Sequence, residues 1–477
     1  MYMLIFILFI SLTHSSNTFF EDEWKARSTP VFDSFSTKEA NNGIVSQVFK
    51  IDINDTIASV LPTMWGNNSN FYLYDILENP AALEHLRATG LKNLRLPGGN
   101  VTNTWLWDNT IYWQFWENYE SKIKSGPTKK YNVMTQEQLT IADSIGAMPQ
   151  PCINIALARF IKGSDSIQKA ASYAADWVRQ WNIKENRNVK YWEIGNENYG
   201  GWSAGYIVNG DTIDGTMYGN IFNVIADSMK AVDPTIKVGA VVYEGESNNW
   251  TGEWNQDVLP IVQNHADYLV VHQYFTFDSN PNNITVDEMV NALPLIEETK
   301  SRLQRHVENH TSKSKDFFPI AMTEYNVRAG KKNSQQISAV FNAMAIGEYI
   351  KHQYGLVNIW NIANSHNSGD DHGILTRNDP NRPEYNPNPT FYAYYLTQLY
   401  FGDKLLKVSP DNSNGIHVYP TQFKGGDLGV LVVNASASAQ TIELDLDSFD
   451  ANGEIYSHHL TSSAVSYTHL RAHETRI

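Results

Sequence analysis

From about Ile57 the chain alternates short apolar runs with longer stretches whose apolar residues recur at three- and four-residue spacing. The short runs predict strands at Ser59–Trp65, Asn93–Leu96, Met148–Ile155, Lys190–Gly195, Ile236–Val242, Tyr268–His272, Pro319–Thr323 and Leu356–Ile362. The longer stretches predict helices at Ala81–Thr89, Gln136–Gly146, Ser166–Trp181, Tyr218–Val232, Val286–Val307, Ile337–His352 and Thr390–Tyr400. Strand–helix units repeated in series over roughly 350 residues point to a closed (β/α)8 TIM barrel. A doubly wound sheet is the alternative, but no Gly-x-Gly-x-x-Gly follows the first strand. After Gly402 the period changes. Gly415–Tyr419, Leu428–Asn434 and Thr441–Leu446 alternate apolar and polar residues with Gly and Asn between them, as strands of a small antiparallel β-sandwich do. Ile44–Ile53 alternates in the same way and is expected to join that sheet. The domains expected are therefore an N-terminal segment over 17–56, a barrel over 57–402 and a β-sandwich over 403–464.

Composition narrows the function. The 477 residues carry 36 Lys and Arg against 51 Asp and Glu, a net charge of −15. A phosphate backbone needs clustered cations, so nucleic acid is not an expected partner. The chain holds 13 Trp, 25 Tyr and 20 Phe, more rings with polar edges than a core usually needs, which suggests a cleft lined by aromatics. The single cysteine, Cys152, excludes a disulfide framework and Cys-based zinc patterns; its apolar neighbours make it a small buried hydrophobe.

At the N-terminus, Leu4–Leu12 is a short apolar run followed by small residues around Ser15 and Ser16, the shape of a secretory signal peptide over 1–16. The run is too short to span a bilayer, so the expectation is a secreted or periplasmic protein with no membrane in its mature form. Seven Asn-x-Ser/Thr sequons begin at Asn54, Asn67, Asn100, Asn249, Asn283, Asn309 and Asn434, and matter only in a eukaryotic secretory route. Residues 465–477 show neither period and resemble the in-frame translation of a transposase-type sequencing adaptor, which implies a reading frame cut short near Ala464.

In such a barrel, catalytic side chains stand at the C-terminal ends of the strands. The fourth strand runs out through Glu193, Gly195 and Glu197, which share one face by alternation, with Glu197 at the lip. The seventh ends in Thr323-Glu324-Tyr325-Asn326. Two carboxyl groups facing each other across a barrel mouth suit glycoside hydrolysis, in which one is protonated to donate to the leaving oxygen and the other ionised. Structural ion pairs are the plain alternative for either glutamate.

Three motifs carry a resemblance: Trp192-Glu-Ile-Gly-Asn-Glu-Asn198, Thr323-Glu-Tyr-Asn326 and Leu94-Arg-Leu-Pro-Gly-Gly-Asn100. Together they resemble glycoside hydrolase clan A, retaining enzymes on a (β/α)8 barrel. The Arg-x-Pro-Gly-Gly element and trailing β-domain bring the chain closest to the family 51 α-L-arabinofuranosidases. The resemblance implies Glu197 as general acid/base and Glu324 as nucleophile. It implies Asn196 on the sugar 2-hydroxyl, Arg95 holding Glu324 ionised by its opposite charge, His272 and Tyr274 orienting the two glutamates, and Trp360 as a platform under the −1 sugar. No cofactor and no metal are needed for this chemistry.

The chain also departs from the family. Where family 51 members carry a Glu-containing element after the first strand, it reads Met64-Trp-Gly-Asn-Asn-Ser69, and Tyr325 rather than Trp follows the nucleophile. The second loop is aromatic, with Trp105, Trp107, Tyr112, Trp113 and Trp116, and reads as a wall of sugar subsites to which Asn100, Trp105 and Trp202 would add contacts. The loop His366–Gly373 offers Asp370, Asp371 and His372 to substrate hydroxyls or to a hard cation. The expectation is a secreted retaining glycoside hydrolase, α-L-arabinofuranosidase-like, acting on plant or algal cell-wall polysaccharide or its oligosaccharides. An endo-β-glycanase of glucanase, xylanase or agarase type and an inactive carbohydrate-binding barrel remain open, as does the oligomeric state.

Overall fold

The computed structural model describes residues 19–31, 36–37, 43–69, 76–108, 135–246, 251–364, 366, 371–447, 449, 455–461 and 471–476. Within them eight parallel strands close on themselves. In chain order they are β1 (Gly66–Asn68), β2 (Asn93–Leu96), β3 (Met148–Ile153), β4 (Tyr191–Ile194), β5 (Lys237–Val241), β6 (Tyr268–Tyr274), β7 (Ile320–Asn326) and β8 (Leu356–Ile359), with β8 pairing back to β1. Nearly every strand residue is buried, because helices cover the outside while side chains fill the inside. This is the expected TIM barrel.

The helices around it are Pro80–Ala88, Thr135–Ile145, Ser166–Val178, Gly215–Val232, Trp254–Val262, Leu295–His310, Gln336–Lys351 and Pro389–Tyr400. Gly215–Val232 shows how sequence fixes such a helix. Asp214 caps it by accepting the Met217 N–H, and Tyr218, Ile221, Phe222, Ile225 and Met229 bury one face at helical spacing. The Tyr218 hydroxyl donates to the Ile194 carbonyl at 2.7 Å and accepts the Val241 N–H at 2.8 Å. That double contact ties the C-terminal ends of β4 and β5 to the helix, directly beneath the loop that carries Glu197.

Three elements differ from the pattern-based expectation. The first barrel strand is Gly66–Asn68, not Ser59–Trp65, because Pro62–Met64 makes a 3-10 turn and Ser59 ends a strand of the other sheet. The stretch Val286–Val307 is two helices, Val286–Asn291 and Leu295–His310, parted at Pro294, whose missing N–H cannot continue the first. Ile442–Asp447 lies parallel, not antiparallel, to Gln47–Asp52; alternation tells which face a residue takes but not strand direction.

The second sheet is built on Gln47–Ser59, which pairs antiparallel with Lys404–Ser409 and alternates buried and exposed residues. Ile416–Gln422 and Leu428–Asn434 extend it, with Phe49, Ile416 and Val418 at its own small core. It meets the barrel at helix Gln336–Lys351. The Tyr419 ring fills the space over Gly347, where a Cβ would come within 2.5 Å, and its hydroxyl donates to Glu348 Oε1 at 2.9 Å. Arg471–Arg476 pairs antiparallel with Tyr456–Thr461. The signal-like run Leu4–Leu12 lies outside the described residues, as do Tyr112, Trp113, Trp116 and Asp370. Among the described residues, no helix is long and apolar enough to cross a membrane. Asn67 is fully buried in β1, so that sequon offers no surface to a glycan.

Candidate active site

The centre is one guanidinium. Arg95, on β2, is fully buried and reaches four partners with its fork: Nε donates to Glu193 Oε2 at 2.5 Å, Nη1 to Asn68 Oδ1 at 2.9 Å and to Glu324 Oε1 at 2.7 Å, and Nη2 to Asn196 Oδ1 at 2.8 Å. A planar donor fork can hold several oxygens in one geometry, and here they come from β1, β4, β7 and the end of β4. Glu193 points into the barrel interior, where it also accepts the Cys152 thiol at 3.0 Å. Cys152 is buried, and burial pushes its thiol up, as suits an unreactive core residue.

Glu324 stands on β7. Its second oxygen accepts the Tyr274 hydroxyl at 3.1 Å. Glu197 follows β4 with φ of +45°, a left-handed conformation that turns its side chain over the lip. Oε1 of Glu197 shares a hydrogen bond with His272 Nδ1 at 3.0 Å, and Oε2 accepts the Trp202 indole N–H at 2.6 Å. The same His272 nitrogen is 3.8 Å from Glu324 Oε1. One oxygen of each glutamate and a His272 ring nitrogen lie within 4.8 Å of one another. Such a trio has the spacing of a metal site, but the Arg95 guanidinium 2.7 Å from Glu324 repels a cation there.

The charges set the resting protonation. Burial alone would raise the Glu197 carboxyl, but the hydrogen bond and charge of His272, then the Trp202 N–H and Arg95, outweigh it and hold Glu197 below its ordinary value. Burial alone would lower His272, but the charge of Glu324 and the bond to Glu197 outweigh that and raise it.

The remaining expected residues divide into two groups. Asn196 is buried and donates to Asn100 Oδ1 at 3.2 Å, so Asn100 joins the site through it. The Trp360 ring, beyond β8, lies against Gly99, where a Cβ would come within 2.5 Å of the ring. Its backbone carbonyl accepts Asn326 Nδ2 at 2.6 Å. The paired glycines after β2 are explained here: both have positive φ, and neither position has room for a side chain. Trp105 is half-buried, its indole N–H donating to Thr135 Oγ1 at 2.9 Å. Trp107 likewise packs down, stacked on Trp177 at 6.0 Å with its N–H on the Tyr173 carbonyl. The described part of the aromatic loop is thus packed against the barrel. In the eighth loop Asp371 is buried and accepts the Gly373 N–H at 3.0 Å, and burial pushes its carboxyl up to about 7. His372 sets its ring edge-on to Tyr274 at 6.1 Å.

Asn68 and Ser203 were not foreseen. Asn68 orients Arg95 while its amide donates to the Thr323 and Ile359 carbonyls, linking β1 to β7 and β8. Its signal was the Asn67-Asn68 pair at a strand end. Ser203 holds the loop after β4 by donating to the Asn196 and Glu197 carbonyls.

Fold and site together define a (β/α)8 barrel with two acidic side chains, Glu197 and Glu324, facing each other at its mouth; comparison with known proteins finds sequence relatives over about half of the chain and a structural likeness over most of it. No family model matches the chain. It is 22% identical over 259 residues to an intracellular exo-α-(1→5)-L-arabinofuranosidase of Acetivibrio thermocellus, covering 51% of this chain and 48% of that protein. It is 25% identical over 308 residues to α-L-arabinofuranosidase C of Emericella nidulans, covering 60% and 57%. The chain thus spans about half the length of the curated relatives it matches. Its fold matches the α-L-arabinofuranosidase of Thermotoga maritima in its arabinose complex, with a TM-score of 0.69 at 18% identity over 91% of this chain and 95% of that one.

Proposed function

We propose that the protein is a secreted, retaining glycoside hydrolase that removes α-L-arabinofuranosyl groups from plant or algal cell-wall polysaccharide or its oligosaccharides. One observation carries the reading: oxygens of Glu197 and Glu324 lie within 4.8 Å of each other across the barrel mouth, with Arg95 on Glu324. Retaining enzymes place their carboxyl groups about 5–5.5 Å apart, whereas inverting ones need about 6.5–9.5 Å to admit a water. In the first step a Glu324 oxygen attacks the anomeric carbon while Glu197 gives its proton to the departing oxygen, leaving a glycosyl ester on Glu324. In the second, Glu197 takes a proton from water, which attacks the same carbon and frees Glu324.

Removal of single terminal sugars is the mode of action that the name of the exo-α-(1→5)-L-arabinofuranosidase of Acetivibrio thermocellus gives, and the similarity to it supports that mode here. The sequence similarity to arabinofuranosidases supports the sugar, and the apolar run Leu4–Leu12 supports export. The test is a screen of aryl glycosides and arabinose-bearing polysaccharides, with products sized and the first-formed anomer read by proton NMR. Release of arabinose with retained configuration is expected. An inverted first product sinks the double displacement, and long oligosaccharide products sink the terminal mode of action.

A further inference from the structure

Beyond β6 and β7 two neighbouring segments of the rim are locked together, and they present one cation and one ring to solvent. The Arg328 N–H donates to Thr276 Oγ1 at 2.9 Å, and that hydroxyl donates to the Arg328 carbonyl at 3.0 Å. Asn333 clamps the second segment, accepting the Ala329 N–H at 2.7 Å and donating to the Val327 carbonyl at 2.7 Å. Phe275, Thr276, Val327 and Ala329 are buried, while Phe277 is 67% exposed and Arg328 is exposed beside it. The Arg328 guanidinium lies over the Phe277 ring at 5.6 Å. A fixed backbone thus holds a large apolar ring in water, a position that folding alone does not reward.

The cation is also uncompensated. The chain carries a net charge of −15, yet Arg328 forms no ion pair with a described residue. Lys331 and Lys332 follow it, Lys332 Nζ donating to the Asn282 carbonyl at 3.0 Å. The acids of this rim are engaged by backbone N–H groups. Asp278 accepts that of Asn280 at 2.7 Å, and Glu288 accepts that of Thr285 at 2.7 Å.

We propose that Phe277 and Arg328 form a subsite for a uronic acid unit of the polysaccharide, the ring taking the apolar face of the sugar and the guanidinium its carboxylate. This rests on the reading of the mouth as a glycoside hydrolase site and adds to it the class of polysaccharide. A planar donor fork matches a carboxylate with two parallel hydrogen bonds. A guanidinium stacked on a ring keeps its N–H edges free for such an acceptor. Phe277 is three residues beyond Tyr274, whose hydroxyl touches Glu324, and Arg328 is four beyond Glu324 itself. The Cα atoms of Glu324 and Arg328 are therefore at most about 14 Å apart. An oligosaccharide seated at Glu324 reaches that far, so the uronate is a different unit from the sugar released. An acidic protein repels an acidic polymer, and a local cation at the rim reverses the sign where the polymer must dock.

The probes are a xylo-oligosaccharide carrying arabinofuranosyl and glucuronic acid side groups, and the same compound with its carboxyl group reduced to the alcohol. Reduction removes the charge and keeps the ring. Wild type should show a KM about threefold to tenfold lower for the acid form, an advantage that shrinks as salt is raised to about 0.5 M. Arg328→Gln should bring the two KM values together, and Arg328→Lys, which keeps the charge without the fork, should retain part of the difference. Phe277→Ala should raise KM for both forms by about threefold or more. Each acid-to-alcohol ratio is taken within one protein, so a general loss of folding cancels. Equal KM values in wild type, an acid preference that survives Arg328→Gln, or an unchanged KM for both forms in Phe277→Ala overturns the proposal. Calorimetric binding of the two compounds to Glu324→Ala, with and without Arg328→Gln, reads the same ratio without turnover. A wild type that releases no sugar therefore defeats the hydrolase reading, while the calorimetry still decides whether Arg328 holds the carboxylate.

Discussion

Lysine at position 95 keeps the positive charge and loses the fork. Arg95 directs its donors at Glu193, Asn68, Glu324 and Asn196, which come from different parts of the barrel. An ammonium on a shorter stem can stay on the two carboxylates only by giving up the amide oxygens. Hydrogen bonds to charged groups contribute about 1.5–3 kcal/mol each. Losing the one that fixes Asn196, and loosening the one to Glu324, should raise the barrier by about 3–4 kcal/mol, or about 10²–10³-fold in kcat. Methionine, which leaves buried Glu193 and Glu324 without a counter-charge, should add about 3–5 kcal/mol of destabilisation by urea unfolding. Arg95→Lys should fold nearly as well as wild type and fail in turnover of 4-nitrophenyl α-L-arabinofuranoside. An Arg95→Lys protein with kcat within about threefold of wild type would show that the fork geometry is dispensable, and the account of the site would be wrong.

Glu324→Ala should abolish turnover of every glycoside, whereas Glu197→Ala should still release 4-nitrophenol in a first-step burst, because a good leaving group needs no acid; equal losses on that substrate would argue against the assigned roles. Gly99→Ala places a methyl about where the Trp360 ring sits and asks alanine for φ of +63°, so kcat/KM should fall at least about tenfold with a loss of about 1–3 kcal/mol in stability; an unchanged KM and kcat would remove Trp360 from the sugar site. Burial would raise Glu348, but its bonds with His352 and Tyr419 and the charge of Lys351 outweigh that and bring it down to about 2. A lowered folded value means stability that is present above the unfolded value of about 4.3 and is lost as pH falls toward 2, at most about 3 kcal/mol. Glu348→Gln should therefore flatten the fall of Tm over that range, and parallel curves for the two proteins would refute it.

Much of this was legible because strand alternation is strict. It put Glu193 and Glu324 on the inner face of their strands, whereas β4 ends at Ile194 and Glu197 reaches the mouth through positive φ at Gly195 and at Glu197 itself. Arg95, Asn196, His272 and Tyr274 came from motifs, and the structure brings all four to the carboxylates. What alternation could not supply was contact across the barrel. Asn68 meets Arg95 only because β1 closes against β8, a pairing of residues far apart in the chain. Of the aromatic loop, Trp107 packs on Trp177, since a run of rings is the same string whether it faces sugar or a helix some seventy residues onward, while Tyr112, Trp113 and Trp116 lie outside the described residues. Pro294 was the opposite case, a local signal outweighed by a long helical period.

The charge arrangement has a consequence for the second half of the proposed reaction. Three acidic side chains, Glu193, Glu197 and Glu324, lie around one guanidinium, and His272 beside them is raised above its ordinary value. Of the influences that raise His272, the charge of Glu324 is the largest. When Glu324 becomes a glycosyl ester that charge is gone, and with it the like-charge repulsion that disfavours an ionised Glu197 beside it. The two steps need opposite protonation behaviour from one carboxyl. In the proposed reaction, loss of the Glu324 charge favours the ionised Glu197 that the second step needs, without any movement of the backbone.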